Sequence, residues 1–224
     1  MTGLSLSGCS ATVRITANAT FHCTSVMREE KEEEMAEIHV LSDGYVREDS
    51  EGQHVGSTVS LVVDGDARIV IDPGMVPGRA SILDPLEAFG VEPDHVTDVI
   101  VSHHHPDHTV NIALFQNARV HDHMATYVGD VWIDREAEGF QVSPGVSLIE
   151  TPGHTPQDIT TLVETDEGVV AFTHLWWAAD GPAEDPYAPD PALVHANRAR
   201  VLELAVAIVP GHGPRFVPVA DTPR

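Results

Sequence analysis

The segment Ser102-His103-His104-His105-Pro106-Asp107-His108 sets imidazoles at 103, 105 and 108 around a carboxylate at 107. It follows the short apolar run Asp98 to Ser102, which reads as a strand. At a strand end alternate residues share a side, so His103 and His105 can give two nitrogens to one metal ion. Asp107 and His108 come after the turn at Pro106 and can face a neighbouring position. Three more histidines occupy strand-to-loop junctions: His154 in Thr151-Pro152-Gly153-His154-Thr155, His174 directly after Val169–Thr173, and His212 in Pro210-Gly211-His212-Gly213. Glycines beside His154 and His212 let the backbone approach closely and the rings swing inward. A histidine-rich surface loop is the bland alternative for 103–108. Histidine recurring at strand ends argues instead for one metal-binding rim. Of the 14 histidines, His22, His39, His54 and His95 read as ordinary core or surface residues.

The chemistry follows from the donor set. A bound divalent ion lowers the pKa of its water towards about 7, giving hydroxide at neutral pH. That hydroxide attacks an electrophilic carbonyl or phosphorus, and the metal steadies the developing oxyanion. Asp107 is the candidate catalytic residue, orienting the water and carrying a proton to the leaving group. Residues 37–224 contain neither Cys nor Lys, which removes covalent catalysis through those groups. No Gly-x-Ser-x-Gly elbow and no Gly-rich phosphate loop is present.

The His-x-His-x-Asp-His pattern at 103–108, His154 after a strand and His212 in Pro-Gly-His-Gly together resemble the metallo-β-lactamase superfamily. Asp72 in Ile71-Asp72-Pro73-Gly74 is similar to that family's Asp-Thr-Gly turn, with Pro in place of Thr. The resemblance runs from about Ile38 to Val217. It implies an α/β (α+β) fold, a four-layer αβ/βα sandwich with the site at one edge of two sheets. It further implies a first metal on His103, His105 and His154, a second on Asp107, His108 and His212, and Asp72 supporting them from behind. Asn111 to Phe115, Pro191 with the helix after it, and Pro-Gly-His-Gly-Pro-x-Phe resemble the metallo-β-lactamase domain-containing protein 1 branch of the superfamily.

The chain departs from the family at His174, where members usually carry an aspartate that bridges both metals. A neutral imidazole has one lone pair and cannot bridge as a carboxylate does. Two divalent ions with Asp107 and one hydroxide would leave more positive charge than the usual site carries, which is costly where water is scarce. Three outcomes stand in order: one metal on the His103/His105/His154 side with His174 as a possible fourth ligand, two metals without the carboxylate, or a decayed site. Zinc is the favoured ion, one or two per chain, with iron or manganese also compatible.

These residues need a scaffold. From Glu37 onward strand-like pieces (Ile38–Leu41, Ser57–Val63, Arg68–Ile71) are punctuated by Asp43-Gly44 and Asp64-Gly65, a meander of hairpins. Helices are expected at Arg79 to Phe89 and Pro191 to Leu204. Further strands are expected at Ala118–His121, Val146–Glu150, Ile159–Glu164, Val169–Thr173 and Val206–Val209. The loop Asp180 to Pro191 carries four prolines and four acids and is expected beside the pocket. Trp176 and Trp177 could wall that pocket, with core packing the equal alternative. Trp132, Tyr127, His121 and His123 could shape its mouth. A minor second metal site at His121 and His123 is the less favoured reading.

The chain has 224 residues, 42% of them hydrophobic, enough for one domain with a full core. Residues 1–36 are Ser/Thr/Ala-rich with a short charge run and read as a disordered or misassigned leader; 37–224 form the metal-binding domain. The leader lacks the charged and apolar regions of a signal peptide, so a cytoplasmic location is expected. Net charge is −23, of which about −21 falls on residues 37–224. Such a field disfavours nucleic acid and anionic membranes as partners. No apolar run approaches the roughly 20 residues of a membrane helix. The expected reaction is hydrolysis of a small ester, lactone or thioester. The alternatives are a non-catalytic metal- or ligand-binding relative with an altered site, and, more weakly, a nuclease or phosphodiesterase. Oligomeric state is open, a homodimer included.

Overall fold

A computed structural model describes residues 35–224; the expected leader falls almost wholly outside them. Ala36, assigned to the leader, is buried in the core and donates its N–H to the Glu164 carbonyl, so the packed domain already includes it.

The chain opens with β1 (Glu37–Ser42), the hairpin β2 (Tyr45–Asp49) and β3 (Gly52–Gly56), then β4 (Val59–Asp64) and β5 (Ala67–Ile71). Helix α1 (Ala80–Ala88) leads to β6 (Asp98–Ile100), the single-turn α2 (Pro106–Thr109), β7 (Arg119–His121), β8 (Ala125–Val128) and β9 (Val131–Asp134). The second half holds β10 (Gln141–Ser143), β11 (Val146–Glu150), β12 (Ile159–Thr165), β13 (Gly168–Thr173), α3 (Pro191–Leu204) and β14 (Ala207–Pro210). The first sheet has the order β1-β4-β5-β6-β7-β8-β9 and the second β10-β11-β12-β13-β14; β2 and β3 pair only with each other. The expected meander is therefore interrupted. Asp43-Gly44 does not turn β1 into β4, because the β2–β3 hairpin is inserted between these antiparallel partners.

Apolar residues sort into three layers of contact. Ile69, Ile71 and Ile100 of the first sheet meet Leu148, Ile159, Val163, Val170 and Val209 of the second. Outside the first sheet, Ile82 and Leu86 of α1 cover Val70 and Val99; outside the second, Val201 of α3 covers Ala171 and Ile208. Each such burial is worth about 1.5–3 kcal/mol, and alternation along the strands supplies a buried set to both faces. The result is the αβ/βα four-layer sandwich that the resemblance implied. Helix α3 starts where the sequence says it should: Asp190 caps it by accepting from the Ala192 N–H at 2.9 Å, and Pro191 takes the first turn.

The two sheets are joined along one edge by main-chain bonds. Ile159 donates to the Ser102 carbonyl at 3.0 Å and Thr58 to the Gly211 carbonyl at 2.8 Å. The loop after β13 is fixed from below by buried Arg198, whose guanidinium donates to the carbonyls of Leu175, Pro182 and Ala183, each at 2.8 Å. No helix among the described residues is long and apolar enough to cross a membrane.

Candidate metal centre

The histidines expected at strand ends converge on that joined edge. Parallel strands β5, β6 and β7 end together, and the segment after β6 carries His103 and His105 before α2 brings Asp107 and His108. His154 follows β11, His174 follows β13 and His212 follows β14. His103 Nε2 lies 3.0 Å from His105 Nδ1, which lies 3.2 Å from His154 Nε2. Asp107 Oδ2 lies 3.5 Å from His108 Nε2 and 3.6 Å from His212 Nε2. His174 Nε2 lies 2.9 Å from His212 Nε2. Donors on one tetrahedral ion at 2.0–2.1 Å stand roughly 3.3 Å apart, so these spacings suit shared metal binding.

The outer hydrogen bonds decide which nitrogens are free. Asp72, at φ 49, accepts from the Ser102 N–H at 2.7 Å, the Ser102 hydroxyl at 2.7 Å and His108 Nδ1–H at 2.9 Å. With its proton on Asp72, Ser102 Oγ can accept from His103 Nδ1–H at 3.1 Å. His154 Nδ1–H donates to Asp185 Oδ2 at 2.8 Å, and His212 Nδ1–H to the Gly56 carbonyl at 3.0 Å. Four imidazoles thus spend Nδ1–H on protein acceptors and turn their Nε2 lone pairs inward. His108 Nε2 and His174 Nδ1 are buried without a hydrogen-bond partner among the described residues.

Electrostatics point the same way. Burial, reinforced by the neighbouring imidazoles, holds His103 and His174 well below the usual histidine range. Burial and His108 bring His212 down to about 4. Neutral imidazole is the form that ligates. His108 moves the other way: burial lowers it, but the Asp72 carboxylate overrides that and raises it. A carboxylate that supports a proton on this ring would equally support a cation at its far nitrogen.

Two glycines make room for the arrangement. A Cβ on Gly74 would stand 1.6 Å from the Asp107 carbonyl oxygen, and one on Gly211 would stand 2.5 Å from Cδ2 of His174. Only a residue without a side chain lets the Asp72 turn and the His212 loop approach this closely.

The centre floors a cavity of about 450 Å³. His105, Asp107, His154 and His212 supply its polar side; Val46, Val55, Met75, Trp177 and Tyr187 supply its apolar side. No Lys or Arg lines it among the described residues. Trp177 lines the cavity, stacked on Tyr187 with ring centroids 5.8 Å apart. Trp176 is a correction. It is fully buried beneath α3, and its indole N–H donates to the Pro223 carbonyl, so it packs the core and does not line the cavity. The Asp180–Pro191 loop does lie beside the pocket and adds two residues the sequence did not single out. Asp185 orients His154, and Tyr187 faces the cavity. His121 also departs from expectation, turning inward to Asp98 at 2.7 Å.

The Metallo-beta-lactamase superfamily profile matches residues 53–219, three quarters of the sequence. The chain belongs to the metallo-beta-lactamase superfamily. Within that superfamily it is 33% identical over 192 residues to metallo-beta-lactamase domain-containing protein 1 of Xenopus laevis, covering 80% of each chain. Its backbone is similar to a Thermotoga maritima metallo-beta-lactamase structure, with a TM-score of 0.68 at 22% identity over 82% of this chain and 100% of that one. A second similar structure is an N-acyl homoserine lactone hydrolase with its product at the catalytic metal centre. Its TM-score is 0.58 at 20% identity, over 80% of this chain and 93% of that one. Metallo-beta-lactamase superfamily members are metal-dependent, and the His and Asp groups here offer the donors such dependence needs.

Proposed function

We propose that this chain is a metal-dependent hydrolase of small uncharged esters, lactones or thioesters. The observation that carries the reading is the inward set of imidazole nitrogens with Asp107 on the floor of a half-apolar cavity. His103, His105 and His154 would hold one zinc ion, with His174 available as a further donor; Asp107, His108 and His212 would hold a second. A divalent ion there supplies an activated water and a Lewis acid for the substrate carbonyl. Asp107, partly exposed to the cavity, orients the attacking water and returns its proton to the leaving oxygen or sulfur. Trp177, Tyr187, Val46, Val55 and Met75 bind the acyl side and exclude water. Among the described residues no Lys or Arg lines the cavity, so a substrate anion would meet no side-chain cation beyond the metal itself. The similar lactone hydrolase, holding its product at its metal centre, supports the lactone branch of this reading.

A second reading has its own observation. With His174 in place of a bridging carboxylate, the centre could bind metal or ligand without turnover. The test is hydrolysis of activated esters and lactones by zinc-loaded and manganese-loaded protein, with metal counted per chain. Metal-dependent turnover lost in His105→Ala supports the hydrolase. Turnover that arises only after His174→Asp establishes the non-catalytic reading.

A further inference from the structure

On the other side of the 103–105 segment, His104 points away from the centre and meets residues from the turn between β7 and β8. His104 Nε2 lies 3.0 Å from Asp122 Oδ2, and one nitrogen each of His104 and His123 with an Asp122 oxygen fall within 4.8 Å of one another. The His104 and His123 rings stand 5.8 Å apart at 84°, much as His105 and His154 stand 5.0 Å apart at 90° in the main centre. Perpendicular rings at this spacing can direct lone pairs to a common point.

Each member is placed for a cation. Asp122 is almost fully buried, yet its position is fixed by donors: the Met124 and Ala125 N–H groups at 2.9 Å on Oδ1, and the Tyr127 hydroxyl at 2.7 Å on Oδ2. Three donors converging on this buried carboxyl are the surroundings that stabilise its charged form. His104 is its sole ion-pair partner among the described residues. His123 Nδ1 is buried with no hydrogen-bond partner among the described residues. The nearby Arg135 makes no ion pair with Asp122 among the described residues; it bonds Thr126 Oγ1 at 3.2 Å and lies over the Phe140 ring, with Nη2 buried and unbonded. The His104 side chain is half exposed, which leaves a route in from solvent.

We propose that His104, Asp122 and His123 form a second, solvent-accessible site for a borderline transition-metal cation such as zinc, with water completing the shell. Two imidazoles and one carboxylate are a zinc or copper(II) donor set and a poor one for calcium or magnesium. The site is independent of the hydrolytic reading. It shares no side chain with the main centre.

The test is equilibrium dialysis of tag-free, full-length protein against zinc alone, with metal counted per chain. Wild type, His123→Gln, His104→Gln and His105→Ala are compared. The differences between variants decide, because residues 1–34 also carry Cys9, His22 and Cys23. The expected result is one equivalent in wild type whose affinity falls about tenfold or more in both His104→Gln and His123→Gln. His105→Ala loses main-centre metal and keeps this equivalent. Cobalt(II) visible absorption from the same equivalent should vanish in the two variants. His104 is half exposed and glutamine keeps a donor for Asp122; with thermal melts showing both proteins folded, equal zinc binding by wild type and His104→Gln overturns the site. Absence of ester and lactone hydrolysis in the metal-loaded wild type, with this equivalent bound, would instead overturn only the hydrolase reading.

Discussion

Nε2 of His174 and Nε2 of His212 lie 2.9 Å apart, two buried imidazole nitrogens facing each other with no carboxylate between them. An aspartate at 174 would put a bridging negative charge where the second ion is otherwise under-compensated. The His174→Asp variant should therefore bind its second metal equivalent more tightly than the parent, by about tenfold or more. Metal titration read by isothermal calorimetry checks this. An unchanged stoichiometry and affinity would mean that His174 does not limit the second position.

Asp185 acts through His154, accepting its Nδ1–H at 2.8 Å while bonding the Trp177 indole at 3.2 Å. Asp185→Asn keeps the shape but removes the charge that fixes the ring's tautomer. Metal affinity at the main centre should fall about 10- to 100-fold. Competition against a fluorescent chelator measures it, and equal affinity in the variant would refute the role.

Gly74→Ala forces a methyl group into the Asp107 carbonyl, a main-chain atom that cannot rotate aside. The α2 turn must then shift, carrying Asp107 and His108 with it. We expect a stability loss of about 1–3 kcal/mol in urea unfolding together with loss of metal from the Asp107 side. Gly78→Ala, where a Cβ meets nothing within 4 Å, is the control and should leave metal content unchanged.

Asp158 is buried, and that burial pushes its carboxyl from an ordinary 3.8 up to about 6, against the hydrogen bonds it accepts from Thr155. A folded-state value raised above the unfolded one means the native chain holds the proton more tightly. The group's contribution to stability is complete below pH 4 and is lost as pH rises through about 6. Asp158→Asn keeps an acceptor for the Thr155 N–H and stays neutral throughout. Relative to wild type it should gain about 2–3 kcal/mol between pH 4 and 6 and stay level above. Urea midpoints across that range test the sign, and parallel curves for the two proteins would contradict it.

What could be read from sequence was whatever is written within a few neighbours. The 103–108 cluster, His154 and His212 announce themselves through local spacing, and Pro191–Leu204 reads as a helix within its own bounds. The hairpin β2–β3 left no such trace. Tyr45–Asp49 is mostly exposed and lacks alternation, and it pairs with neither large sheet. Asp185 was invisible for another reason: one acid among four in a proline-rich loop becomes special only when folding sets it against His154, 31 residues away. Trp176 and Trp177 are chain neighbours with opposite fates, one under α3 and one in the cavity wall. Only the direction in which the loop leaves β13 separates them.

The main-chain bonds that join the sheets along one edge have a further consequence. His103, His105 and His108 belong to the half that ends with β9, and His154, His174 and His212 to the half that begins with β10. Each half owns three of the six imidazoles, so a bound ion would act as a clasp between them rather than an ornament on either. Divided between Asp134 and Gln141, the two fragments would each be poor chelators. Their reunion through the apolar core would be tightened by metal, and the ion would report on the assembly of the sandwich as well as on its chemistry.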